Sequence, residues 1–599
     1  MAEQENNSQL RANFANPTEL TEAWSRILSN YSDVLRVSFQ RSTERSSIPE
    51  PFDHLAPLKS LADLGTSVIA EPAKVVAAQG KFVSEWFELW TSFLTPPLAA
   101  NRDPMLAPAR GDRRFSHESW NDPTFDYIKQ AYLLFARQSL ELVEESNLEP
   151  AARTRAEFYT KQVINALSPA NFAFSNPEAM RKVHETGGLS LLSGLANMLA
   201  DAASPSGLVR RRSEDNFEVG VSIAATAGSV IFQNDLMQLI QYSSVSETVY
   251  RRPLLYIPPL VNKFYVMDLQ PKSSLIKWLV YQGHTVFVIS WVNPGPELGD
   301  KGISDYVQLG PVAALQVIEK VTGVRDVDVF GFCMGGTLLA IAAAYLYAIG
   351  EGDRIGSLTT IGALLDFSDM GEWATFYEPA QMEAFERHVQ TAGVIGADKL
   401  QALFSVVRAN DLIWSSVVNH YLLDRVAPAS DLLFWFADGS RIPQAFLLEY
   451  ARLLLRDNAL KDPGGIKISG TPIALSSIVA PVMTISLKDD HVTAWRATYE
   501  GSKLYGGEKT FLLGGSGHNA GVINPPAANK HAYWSNKTMH PTPEAWLAGA
   551  EEQKGSWWPT WQAWLAAHGN GKPVKSRAVG SSDYPEIEPA PGSYVRVKS

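Results

Sequence analysis

The one cysteine in a chain of 599 residues, Cys333, stands in VFGFCMGGT, between glycines and directly after an apolar run. Gly331-Phe332-Cys333-Met334-Gly335 puts a nucleophilic atom two residues from a glycine on either side. Glycines at those positions permit the sharp strand-to-helix turn of a nucleophile elbow, which lifts a reactive side chain above a sheet. The turn also sets it at a helix N-terminus, where unpaired amides and the helix dipole favour a thiolate over a thiol. A lone intracellular cysteine is ordinarily a small buried hydrophobe. Here the strand before it and the alanine- and leucine-rich helix after it point to covalent catalysis, with sulfur where hydrolases usually carry serine oxygen.

A nucleophile so placed calls for an acid and then a histidine, each on a loop after a later strand. The run PVMTISL leads into KDDHVTAW, which offers Asp489, Asp490 and His491, and KTFLLG leads into GSGHNAG, which offers His518. Of the 11 histidines, His54, His117 and His184 fall early in the chain and His388 and His420 fall where a lid is expected. His491 shares the acid's own loop and is poorly placed to bridge acid and sulfur, so His518 is the expected base, with Asp490 preferred over Asp489. The expected oxyanion donors are two backbone amides: Met334, directly after the nucleophile, and Val261, in the PPLVNK turn after an earlier strand.

These loops need a scaffold. Short apolar runs at 253–259, 285–291, 327–332, 357–365, 481–487 and 509–514 alternate with helical segments. That rhythm predicts a mostly parallel sheet with helices on both faces, and the elbow nucleophile set on such a sheet makes the expected fold that of the α/β hydrolases. The stretch 366–475 lacks the strand rhythm and is expected to form a lid. Residues 1–215 read as a helical domain, with apolar periodicity over 19–39, 81–94 and 127–145. The catalytic domain is expected to run from 216 to 599. The junction is SPSGLVRRRSEDN, 204–216, whose three arginines read as a solvated linker.

Composition narrows the function. A formal net charge of −11 gives no electrostatic reason to bind nucleic acid or an anionic membrane. One cysteine cannot form an intramolecular disulfide, and the polar start MAEQENNSQL carries no apolar export signal, so a cytoplasmic protein is expected. The apolar run 337–350 is too short to span a bilayer and reads as a buried helix; no transmembrane segment and no metal site are expected.

Taken together, GFCMGG, RPLLYIPPLVNKFYVMDLQPKSSLIKWLVYQGHTVFVISWVNP, KDDHVTAW, GGSGHNAGVINPP and KGSWWPTWQAWL resemble class I polyhydroxyalkanoate synthases, over nearly everything from about 216 onward. The resemblance implies an acyltransferase that polymerises (R)-3-hydroxyacyl-CoA, chiefly 3-hydroxybutyryl-CoA, releases CoA and holds the growing polyester as a thioester on Cys333. It implies His518 as general base and Asp490 as the residue that assists the substrate hydroxyl. No separate cofactor is implied, since the CoA thioester is itself the substrate. It further implies a homodimer at the surface of cytoplasmic polyester granules, with phasin-type proteins as neighbours. CoA's phosphates call for local cations, for which Arg408 and His491 are the candidates, and Trp414 is a candidate to pack on the acyl or pantetheine chain. Two rival readings are a thioesterase or polyester hydrolase of the same fold and a non-catalytic granule scaffold.

Overall fold

The computed structural model describes residues 16–43, 51, 53, 55–94, 105–109, 111–204, 217–426, 428–569 and 573–599. The expected linker therefore lies, but for Ser204, outside the described residues. The chain divides into two compact units. One comprises Met1–Ser47, Phe52–Asp215 and Ala402–Ala429, the other Ile48–Pro51, Asn216–Gln401 and Ser430–Ser599.

The first unit is helical: α1 (Pro17–Thr43), α2 (Ala56–Ile69), α3 (Pro72–Leu94), α4 (Pro123–Glu144), α5 (Pro150–Ala166), α6 (Pro177–Glu185) and α7 (Leu189–Ala202). Proline at the first turn of α4, α5 and α6 starts each helix where the missing N–H costs nothing. Helix α1 turns Ala23 and Ile27 inward, and Arg26 and Asn30 bond Asn197 Oδ1 and the Ala196 carbonyl of α7. The segment 402–429, which falls within the stretch expected to form a lid, groups with this unit. Its Tyr421 carbonyl lies so close to Gly194 of α7 that a methyl there would stand 1.8 Å from the oxygen. The Tyr421 hydroxyl donates to Asp201 and the His420 carbonyl accepts from Asn197, so tertiary partners, not chain proximity, decide where the segment belongs.

The second unit is built on a sheet of eleven strands among the described residues. They are β1 (Gly228–Gln233), β2 (Met237–Tyr242), β3 (Leu254–Ile257), β4 (Val286–Trp291), β5 (Val327–Phe332), β6 (Ile355–Ile361), β7 (Val482–Leu487), β8 (Lys509–Gly514), β9 (Ala532–Ser535), β10 (Glu551–Lys554) and β11 (Glu588–Pro589). Their order is β10-β9-β8-β7-β6-β5-β3-β4-β2-β1-β11. The six strands from β8 to β4 run parallel, and antiparallel strands flank them on both sides. Both faces are covered. One carries α10 (Met334–Ala348), whose sequence MGGTLLAIAAAYLYA is apolar nearly all round and buried accordingly. The other carries Trp557, Trp558 and Trp561, all fully buried. Charges on β10 and a proline on β11 blunt the two edges of the sheet.

Candidate active site

The parallel order brings the C-terminal ends of β3, β5, β6, β7 and β8 to one rim, where the loops carrying the chemistry emerge. At the end of β5 Cys333 adopts φ 54° and ψ −131°, a conformation a side chain rarely takes, at a cost on the order of 1–3 kcal/mol. The surroundings enforce it. The Cys333 N–H donates to the Ile361 carbonyl of β6 at 2.9 Å, and its own carbonyl accepts from Gly336 and Thr337. A methyl on Gly331 would stand 2.6 Å from the Gly335 carbonyl oxygen, and one on Gly335 would stand 2.4 Å from the Ile257 carbonyl oxygen at the end of β3. The two glycines of the motif thus let α10 press onto the neighbouring strand end.

The histidine comes from the loop after β8 and the acid from the loop after β7. His518 Nδ1 donates to Asp490 Oδ2 at 2.7 Å, both groups being buried. Asp490 Oδ2 also accepts the Thr493 hydroxyl, and Oδ1 accepts the backbone N–H groups of Val492 and Thr493. Asp489, by contrast, is exposed. The ring of His518 stacks on Phe332 at 4.8 Å and lies near enough to Cys333 to feel the charge of its sulfur. Burial resists charge on His518, but the carboxylate of Asp490 and the sulfur of Cys333 outweigh it and push the imidazole up to about 10. Burial likewise opposes ionisation of Asp490, yet His518 and the Thr493 donors hold its carboxyl below the usual range. Since a carboxylate only accepts, Nδ1 carries the proton and Nε2 is the nitrogen left for sulfur.

The oxyanion candidates flank this pair. Met334 is the first residue of α10, so its N–H has no partner within the helix. Val261 lies in the loop after β3, whose carbonyl end touches the elbow. Its own carbonyl accepts from Ser440 N at 3.0 Å, and Asn262 bridges to Gly439. Sequence reasoning overlooked several supports. Thr493 fixes the acid. Tyr256 and Tyr450 stand close enough to Cys333 for their hydroxyls, already resistant to ionisation through burial, to be raised further by its charge. The tryptophan-rich run is a brace: Trp557 Nε1 and Trp558 Nε1 each donate at 2.9 Å, to the Gly521 and Val522 carbonyls three and four residues past His518.

The three CoA-contact candidates are divided between the two units. Arg408 and Trp414 belong to the segment assigned to the helical unit, and the Arg408 guanidinium is held by Asp411 three residues on. His491 is half-buried and lines a cavity of about 180 Å³ beside Asp490, whose wall also carries Asp369 and Glu372. Among the described residues no cluster of His, Cys, Asp and Glu suits a metal ion, and no helix is long and apolar enough to cross a membrane.

A strand, an elbow nucleophile, an acid and a histidine in this order define an α/β hydrolase, and residues 253–525 match the family described as alpha/beta hydrolase fold. Residues 111–279 match "Poly-beta-hydroxybutyrate polymerase (PhaC) N-terminus". The chain is similar to a poly(3-hydroxyalkanoate) polymerase from Methylorubrum extorquens, 39% identical over 90% of each chain. It is also similar to polymerase subunits from Cupriavidus necator, 38% identical over 88% of this chain and 89% of that one, and from Rhizobium etli, 37% identical over 97% and 92%. The chain belongs to the poly(3-hydroxyalkanoate) polymerase family.

Proposed function

We propose that this chain is a class I polyhydroxyalkanoate synthase that takes (R)-3-hydroxyacyl-CoA with short side chains, 3-hydroxybutyryl-CoA above all, and releases CoA. The observation that carries this reading is the buried Asp490–His518 hydrogen bond set beside Cys333 on a strained elbow. His518 Nε2 takes the thiol proton and the sulfur attacks the acyl carbonyl, with the Met334 and Val261 amides facing the developing oxyanion. CoA leaves as its thiol, reprotonated from His518. The 3-hydroxyl of the next acyl-CoA gives its proton to His518 and attacks the acyl-Cys333 thioester, forming an oxoester and freeing the sulfur. The lengthened chain, now on CoA, returns to Cys333 and the second CoA departs.

Sulfur suits this cycle. Exchange of one thioester for another is nearly neutral in energy and keeps the acyl group activated, whereas a serine would hold it as an oxoester no more reactive than the product. The activation resides in the thioester, so the cycle calls for no further cofactor. Both oxygens of Asp490 are engaged, by two amides, a hydroxyl and His518. That favours its acting through His518, with no lone pair spare to take the substrate proton directly. The carboxylates of Asp369 and Glu372 repel phosphate, so His491 is better suited to line the acyl side of the cavity than to hold CoA's phosphates.

The same reading includes a homodimer at the surface of a cytoplasmic granule, with phasin-type proteins nearby and the helical unit supplying contacts. Purified protein incubated with (R)-3-hydroxybutyryl-CoA is expected to release CoA and deposit polymer, and Cys333→Ala to do neither. Soluble 3-hydroxybutyrate without polymer would make the chain a hydrolase, and CoA release by Cys333→Ala at the wild-type rate would remove the covalent step.

A further inference from the structure

The last residues of the chain have no place in the cycle just described, yet they end beside its oxyanion loop. From β11, paired with β1, the tail passes the buried Gln238, which donates to Ser593 Oγ and accepts from Tyr594 N. Val595 is buried in the sheet's core. Beyond it the chain runs on the surface and makes polar contacts only. The Val597 carbonyl accepts from Lys263 Nζ at 2.9 Å and from Asn293 Nδ2 at 3.3 Å. The Ser599 hydroxyl donates to the Gly439 carbonyl at 2.6 Å and accepts from Asn293 Nδ2 at 3.2 Å.

Of those partners Lys263 belongs to the loop that carries Val261, Gly439 pairs with that loop, and Asn293 holds the segment beside Gly439. Lys263, two residues on, is buried, and its ammonium has Asp438 at 2.7 Å as its other acceptor. Gly439 bridges to Asn262, and Ser440 N holds the Val261 carbonyl. Trp435 Nε1 ties the Lys263 carbonyl at 2.7 Å, and Asn293 Oδ1 receives Arg441 N at 3.0 Å. The oxyanion loop and the segment 435–441 are thus laced to each other, and the tail bonds both.

We propose that Val597–Ser599 form a strap that positions the Val261 amide toward the oxyanion, so that the chain's last turn tunes acylation without touching substrate. This rests on Val261 being an oxyanion donor in the cycle above. Losing such a donor outright costs about 10²–10³ in rate, and a misplacement costs a part of that. Because Val595 and β11 stay in place, a chain ending at Arg596 keeps its fold.

The test compares wild type, the chain ending at Arg596, Ser599→Ala and Ser599→Thr by two readouts. One is the first-turnover release of CoA from 3-hydroxybutyryl-CoA, and the other is alkylation of Cys333 by iodoacetamide, a displacement that builds no oxyanion. The shortened chain is expected to release CoA roughly tenfold more slowly at saturating substrate, with KM within about twofold and alkylation unchanged. Ser599→Ala moves the same way by less, and Ser599→Thr, which keeps the hydroxyl, restores the rate. Equal loss of alkylation and CoA release would place the effect on the Cys333–His518 pair or on the fold and overturn the strap. So would an undiminished rate in the shortened chain. Absence of CoA release from wild type would overturn the reaction assigned above, and this proposal with it.

Discussion

At the residue scale the decisive balance lies at His518. Burial alone would drive its imidazole below the ordinary value, and the Asp490 carboxylate and the Cys333 sulfur reverse that, holding the proton up to about pH 10. Asp490→Asn preserves the shape of the side chain but removes its charge, so the largest force opposing desolvation is lost and the His518 imidazole falls from about 10. The positive charge beside the sulfur is lost in consequence. Iodoacetamide alkylation of Cys333 at pH 7 is expected to drop by tenfold or more in Asp490→Asn. An alkylation profile identical to wild type would mean that Asp490 does not set the charge of the pair. First-turnover CoA release is expected to fall at least as far, since the same proton must return to the leaving thiol.

At the element scale, the histidine loop is held by the helix that follows it. Trp557→Phe and Trp558→Phe keep most of the buried ring but remove the indole donors to the Gly521 and Val522 carbonyls, at a cost on the order of 2 kcal/mol for the first and less for the second, because the Val522 carbonyl also accepts from Asn524 N. Trp561→Phe is the control, because its Nε1–H goes to Thr359 in β6 and not to the histidine loop. All three are expected to lower the melting temperature, and only the first two to lower CoA release per folded molecule. An equal fall in Trp561→Phe would reduce the brace to general stability. What the sequence made legible follows from the same packing. The six parallel strands are buried on both faces and so read as apolar runs, and their loops placed Cys333, Asp490 and His518 in order. Strand β2 escaped notice because MQLIQY sets Gln238 and Gln241 at fully buried positions, where they dock the C-terminal tail, and β10 because EEQK is an exposed charged edge. The contacts of segment 402–429 with α7 were not legible because periodicity tells which face of a helix is buried but not against what, and α7 lies some two hundred positions earlier. Thr493 and the two tryptophan N–H groups were missed for a related reason: their work depends on a neighbour that only the fold supplies.

At the scale of the whole molecule, a chain that converts a water-soluble thioester into an insoluble polyester must stay near its product, and the surface of the helical unit bears on how. Along α1, Trp24, Leu28, Tyr31 and Leu35 recur four, three and four residues apart, which puts them on one face, and each leaves half or more of its surface exposed. A neighbouring face, with Ala23 and Ile27, is the one packed on α7. A row of large apolar side chains facing water suits an apolar surface better than a soluble ligand. On the granule reading proposed above, replacing Trp24, Leu28 and Leu35 together by serine removes about 1 kcal/mol for each half-exposed side chain and weakens partitioning onto polymer roughly a hundredfold. Co-sedimentation with amorphous poly(3-hydroxybutyrate) granules measures this, while first-turnover CoA release from soluble substrate is expected to stay at the wild-type rate, since α1 belongs to a unit separate from the catalytic residues. Light scattering of the same variant separates the competing occupant. Granule binding retained with loss of a dimer would assign the face to a second copy of the chain, and binding and dimer both unchanged would leave the row without a role in either.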